Sequence, residues 1–190
     1  MSDFQTDFTM DIERIRREAR KDIENGAVTP EYKANKDTVI RLLDSALATE
    51  WICTLRYTQH AAAAVGIHRE AVASEFAQHA QDEREHAEHL ADRIKQLGGT
   101  PNLDPSTFSQ RAHSEYKESD DITVMIRENL IAERIAIESY SEMIRYIGDS
   151  DATTRRMLEW ILEKEEEHAD DMSDLLQSDA PEISRHPAKH

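Results

Sequence analysis

Glu83-Arg84-Glu85-His86 and Glu165-Glu166-Glu167-His168 are two copies of Glu-x-x-His, and a lone glutamate precedes each at nearly the same distance. Glu50 stands 33 residues before the first copy and Glu133 stands 32 before the second. Residues three apart project from one face of a helix, so each copy presents a carboxylate beside an imidazole. Together the six residues supply four carboxylates and two imidazoles in an internal two-fold repeat.

The surrounding periodicity puts all six inside. The apolar seam of one helix runs Val39, Leu43, Ala46, Glu50, Cys53, Tyr57, and the next places Glu83 and His86 between Phe76 and Leu90. A third seam runs Ile126, Leu130, Glu133, Ile137, Tyr140, Ile144, Ile147, and a fourth Leu158, Ile161, Glu165, His168, Met172, Leu175. Every candidate ligand occupies a position where a core residue belongs. Buried carboxylates without partners cost several kcal/mol, and four together repel one another. Two divalent cations cancel the four charges and take the imidazoles as neutral ligands. Oxygen-rich sites with one nitrogen per metal suit iron or manganese better than zinc. One Glu-x-x-His in a glutamate-rich helix is ordinarily a solvated face. Two copies, each with a seam glutamate on the preceding helix, are not.

Punctuation along the chain sets the architecture. Helices are predicted over 37–65, 68–97, 121–147 and 151–177. Gly66 and Gly148-Asp149-Ser150 mark short turns, and Gly98-Gly99-Thr100-Pro101 is a firm stop. Residues 98–119 read as a long connection. The expectation is an all-α four-helix bundle over 37–177, two hairpins joined by one long crossover. An N-terminal helical arm, 1–36, precedes it, with a helix-prone stretch from Asp11 to Glu24. Residues 178–190 read as an irregular tail, its polar end carrying His186, Lys189 and His190.

The 190-residue chain has a net charge of -16, which argues against broad nucleic-acid binding and favours cations. Its single cysteine, Cys53, makes neither an internal disulfide nor a Cys-x-x-Cys site, and reads as a buried inert thiol. No apolar run approaches membrane-spanning length and the N-terminus lacks a signal-peptide core, so a cytoplasmic location is expected.

At Glu50-Trp51-Ile52-Cys53-Thr54-Leu55-Arg56-Tyr57, Glu83-Arg84-Glu85-His86-Ala87, Arg93-Ile94-Lys95-Gln96-Leu97-Gly98-Gly99-Thr100-Pro101 and Glu165-Glu166-Glu167-His168, the chain resembles the bacterioferritin branch of the ferritin-like superfamily. It also resembles Dps-like proteins whose di-iron site lies within one subunit. The six ligands follow the known pattern of ferritin-like di-iron bundles. The resemblance implies two Fe ions per subunit, manganese being the alternative. Glu50 and His86 would bind one, Glu133 and His168 the other, and Glu83 and Glu165 would bridge them. It implies a ferroxidase that oxidises Fe(II) to Fe(III) with O2 or H2O2 and sequesters the product in a homo-oligomeric cage, limiting iron-driven damage.

Two departures refine this. Arg84 stands where bacterioferritins carry the haem-ligating Met, which argues against haem. The tail after Ser178 does not read as the fifth helix that helps build a 24-subunit cage. A smaller cage, such as one of twelve subunits, is expected. The rivals are a non-storage di-iron or di-manganese peroxidase, oxidase or catalase, and a DNA-protecting nucleoid protein. The last has only the basic cluster Arg14, Arg16, Arg17, Arg20, Lys21 in its favour.

Tyr57 and Tyr140 each lie seven residues after a lone glutamate, on the same helical face. Tyr57 is expected beside the ligands, with a role in electron transfer as the sharper reading. His60, His79 and His89 are read as surface histidines on acidic helices, with an iron-uptake path as the alternative. Gln78 and Asp82 carry a weaker suggestion of facing a cavity.

Overall fold

A computed structural model describes residues 9–66 and 69–178. Its helices are α1, Ile12–Glu18; α2, Lys36–Ala63; α3, Arg69–Gln96; α4, Phe108–Arg111; α5, Ile122–Ile147; and α6, Ala152–Ser178. The four long ones are the predicted four, with ends within about two residues, the usual uncertainty of a helix terminus. Each start for which a capping bond is seen has a local reason. The Asn35 side chain accepts from the Thr38 N–H at 3.0 Å, Asp121 accepts from Thr123 and Val124, and Asp151 accepts from Thr154 at 2.9 Å. At the end of α3, Gly98 adopts φ 82, where L side chains are strained. Gly99 sits so close to Ile94 and Ile40 that a Cβ would meet them at 3.0 and 3.1 Å.

Helix α2 packs mainly on α3 and α5 mainly on α6, so the bundle is two hairpins laid together. Its buried side chains form two apolar blocks. One holds Val39, Leu43, Leu47, Leu90, Ile94, Leu158 and Ile161, and the other Val72, Phe76, Met125, Ile126 and Met172. The polar layer at Glu50, Glu83, Glu133 and Glu165 lies between them in sequence on every helix.

Several expectations are corrected. The arm helix ends at Glu18 rather than running to Glu24, and a separate 3-10 turn covers Ile23–Asn25 after Asp22 takes a left-handed φ of 47. Basic residues of the arm are held by their own acids: Arg14 pairs with Glu31, Arg16 with Glu13 and Lys21 with Glu18. The arm's distal part docks on its own bundle, where Tyr32 donates to Asp151 at 2.7 Å and Arg93 donates to the same carboxylate at 2.9 Å. The long connection is not featureless. Its 3-10 turn Pro105–Thr107 and α4 bury Phe108, which stacks on Trp51 with ring centres 6.4 Å apart. On α5 the buried positions include Asn129, Ala132, Ala136 and Met143, while Ile137 and Ile144 are half-buried. The buried stripe is thus rotated by one residue from the isoleucines that apolar type alone had placed in it. Residues 179–190 of the predicted tail, with His186, Lys189 and His190, lie outside the described residues.

Among the described residues no helix is long and apolar enough to cross a membrane.

Candidate metal centre

Each long helix delivers its share to one layer: Glu50 from α2, Glu83 and His86 from α3, Glu133 from α5, Glu165 and His168 from α6. All six are at most 3% exposed. They fall into two overlapping groups, Glu50, Glu83, His86, Glu165 and Glu83, Glu133, Glu165, His168, each with one ligand atom per residue mutually within 4.8 Å. Glu83 and Glu165 belong to both. His86 Nδ1 lies 3.0 Å from Glu165 Oε1 and 3.4 Å from Glu50 Oε2. His168 Nδ1 lies 3.6 Å from Glu83 Oε1 and 3.8 Å from Glu165 Oε2.

Buried polar atoms are nearly always paired, so an orphaned one needs a partner of another kind. All six residues contribute one: Glu50 Oε2, Glu83 Oε1, His86 Nδ1, Glu133 Oε2, both oxygens of Glu165, and His168 Nδ1. Each is a donor atom for a cation. The residues therefore fit small divalent ions with carboxylate and imidazole ligands.

The tyrosines cross between hairpins. Tyr57 on α2 donates to Glu133 on α5, and Tyr140 on α5 donates to Glu50 on α2. Both hydroxyls are fully buried, and each leaves the second oxygen of its glutamate free to face a metal. Outside the six, Asp82 Oδ2 approaches His168 Nε2 at 3.4 Å, the kind of contact that orients a ligating imidazole. The edge of Trp160 meets the His86 ring at 5.3 Å.

Electrostatics divides the protons unevenly in the metal-free layer. Burial, with the charge of Glu83, raises Glu50 to about 8. Burial also raises Glu133 and holds Glu165 well above the usual carboxylate range. Burial acts on Glu83 too, but the close approach of Glu50, His168 and His86 outweighs it and leaves Glu83 well below that range. Burial opposes the charging of both histidines. The close approach of the Glu165, Glu50 and Glu83 carboxylates nevertheless raises His86, and the nearness and charge of Glu83 raise His168 to about 9. Burial raises Tyr57 and Tyr140 far above the ordinary phenol, so both stay protonated donors.

Two histidines expected at the surface are inside. His60 is fully buried with both ring nitrogens unpartnered. His79 is 2% exposed, stacks on the His168 ring at 4.0 Å, and sets Nδ1 3.2 Å from the Tyr57 hydroxyl. Burial and the charge of His168 lower His79 to about 4. Only His89 is half exposed, against Trp160. The signal was present: 79, 83 and 86 share one face of α3. Sequence reasoning also passed over Arg56, fully buried, whose Nε donates to Asn129 at 2.8 Å and Nη1 to the Glu115 carbonyl at 3.0 Å. It lies on the 49, 53, 56, 60 stripe of α2. Cys53 is buried beside it, as expected.

The profile of the ferritin-like domain family matches residues 40–180. The chain belongs to the ferritin-like family. Among ferritin-like relatives, a bacterioferritin of Desulfovibrio desulfuricans is 31% identical over 88 residues, 46% of this chain. That alignment spans 45% of the relative, less than half its length. A bacterioferritin-related protein of Bacteroides fragilis, described as a dodecameric thioferritin, is 35% identical, with TM-score 0.74 over 77% of this chain and 88% of its own. The structure of a Desulfovibrio desulfuricans bacterioferritin, solved with its diiron site in different catalytic states, is 26% identical, with TM-score 0.67 over 75% and 80%.

Proposed function

We propose that this ferritin-like protein is a ferroxidase that binds two Fe(II) ions per subunit, oxidises them and sequesters the product in a homo-oligomeric cage. The observation that carries the reading is the set of six buried residues, each with an orphaned donor atom, arranged as two groups that share Glu83 and Glu165. The diiron site named for the Desulfovibrio desulfuricans structure supports iron as the metal. The dodecamer named for the Bacteroides fragilis protein supports twelve subunits.

Fe(II) enters as the substrate. Glu50 and His86 hold one ion, Glu133 and His168 the other, and Glu83 and Glu165 lie between. Two ions side by side can give up two electrons together, so O2 with two protons becomes H2O2, or H2O2 with two protons becomes two waters. The chain's own contribution is arrangement. Tyr140 and Tyr57 fix the outer glutamates, Asp82 fixes the His168 ring, and the apolar blocks on either side exclude bulk water. Binding must expel the protons held on the raised carboxyls and imidazoles, since both ligand types coordinate deprotonated.

Iron loading tests this. Metal-free protein receives excess Fe(II) in air, and iron and protein are measured across a gel-filtration profile. Tens of irons per subunit on a large assembly is the expected result. About two per subunit, the capacity of one dinuclear site, would leave the centre standing and remove storage, pointing to a non-storage oxidase or peroxidase. No retained iron would overturn the reading.

A further inference from the structure

We propose that Glu75, His79 and Asp171 form a third divalent-cation site, where the seam between α3 and α6 meets solvent, beside the dinuclear layer. The three residues bring one ligand atom each to within 4.8 Å of one another. His79 Nε2 lies 3.3 Å from Glu75 Oε1 and 3.4 Å from Asp171 Oδ2. Ligand atoms bound at about 2.0–2.2 Å to one small cation stand roughly 3 Å or a little more from each other, and these separations match.

Hydrogen-bond roles supply the second argument. With Glu133 ionised, as it must be when it serves as a ligand, the Tyr57 hydroxyl donates its one proton to Glu133, so toward His79 it can only accept. His79 Nδ1, 3.2 Å away, must therefore be the donor. A ring protonated at Nδ1 presents the Nε2 lone pair to two carboxylates, which are themselves only acceptors. Three acceptors converge with nothing between them. A cation bound by Nε2, Glu75 and Asp171 satisfies the same three atoms without charging the ring.

The chemistry of the site follows from its donors. Two oxygens and one nitrogen favour Fe(II) or Mn(II), the class the main centre takes. The Glu75 and Asp171 side chains are 40% and 52% exposed, which leaves coordination positions to water. An ion held there exchanges with solvent on one side and sits against the ring of a main-centre ligand on the other. The site suits a docking position for cations on their way in. The identity of the cation rests on the dinuclear reading above; the third site itself does not.

Crystals of the full-length metal-free protein soaked in Mn(II) give the test, read by anomalous diffraction. Three peaks per subunit are expected, one between Glu75, His79 and Asp171. The double variant Glu75→Gln/Asp171→Asn changes only surface carboxylates and should fold. It should lose that peak and keep the other two, and equilibrium dialysis should fall from three Mn(II) equivalents to two. An empty third position at a concentration that fills the centre would overturn the proposal, as would a third peak that survives in the double variant. A third peak with the dinuclear layer empty would uphold this site and sink the dinuclear reading instead.

Discussion

Glu165 keeps both carboxylate oxygens buried and unpartnered, whereas Glu50 has one oxygen held by Tyr140. The difference predicts unequal mutants. Glu165→Ala removes a ligand from both groups and should abolish tight binding of both ions, a loss well beyond about tenfold in each affinity. Glu50→Ala strips one group only and should leave one Mn(II) equivalent at the centre, besides the one at Glu75, His79 and Asp171, read by calorimetry. Equal stoichiometry in the two variants would contradict the shared position of Glu165. Proton balance makes a second prediction. Glu50 and His168, raised to about 8 and about 9, and Glu133, Glu165 and His86, also raised, hold protons that the unfolded chain releases at lower pH. Their stabilisation is present at low pH and is lost as pH rises through the folded values; Glu83, lowered, runs the other way. The melting temperature of metal-free protein should therefore fall between about pH 5 and pH 9, and the gain from Mn(II) should widen over the same window. A metal-free melting temperature that is flat or rising there would refute the proton distribution. The burial of the six candidate ligands was legible because charge at a core position is conspicuous. His79 and His60 were misread because histidine is at home on either side of a helix, although the faces they share, 79, 83, 86 on α3 and 49, 53, 56, 60 on α2, carried the signal.

The long helices announced themselves through caps, glycine stops and seams, each of which acts within a few residues. Helix α4 did not. Four residues are too few for a periodic pattern, and its reason for forming is tertiary: Phe108 has a place waiting against Trp51, Ala48 and Ile52. The same limit misplaced Ile137, because apolar type alone does not say that the neighbouring Ala136 is the residue turned into the core. Phe108 is thus the clasp that holds the crossover to α2, together with Arg111, which reaches Asp44 at 2.8 Å and the Asn102 carbonyl at 2.8 Å. Phe108→Ala should cost about 3 kcal/mol, the lower part of the range for an emptied aromatic site. Urea unfolding should register that loss while Mn(II) stoichiometry stays as in the parent, since Phe108 packs against Ala48, Ile52 and Trp51. A lower Mn(II) stoichiometry in the folded variant would mean the crossover also shapes the centre.

Across the whole molecule, the bundle and its ligand repeat were readable from sequence, but the arm's docking was not, since Tyr32 and Asp151 are 119 residues apart. Twelve chains of 21.8 kDa would make a particle of about 260 kDa, and light scattering behind gel filtration should find it. A dimer would leave the cage without support. The crosswise tyrosines have one more consequence. Neither hairpin can satisfy its own tyrosine: the hydroxyl on α2 needs the glutamate on α5, and the hydroxyl on α5 needs the glutamate on α2. Each half holds only three of the six ligands. The chain is built like a heterodimer whose members happen to be tethered, and the tether carries none of the ligands. Expressed as two separate polypeptides cut near residue 118, the halves should each fail to hold a stable fold alone, yet reassemble when mixed, with Mn(II) tightening the union. Circular dichroism of each half and of the mixture would reveal whether the partnership outlives the cut.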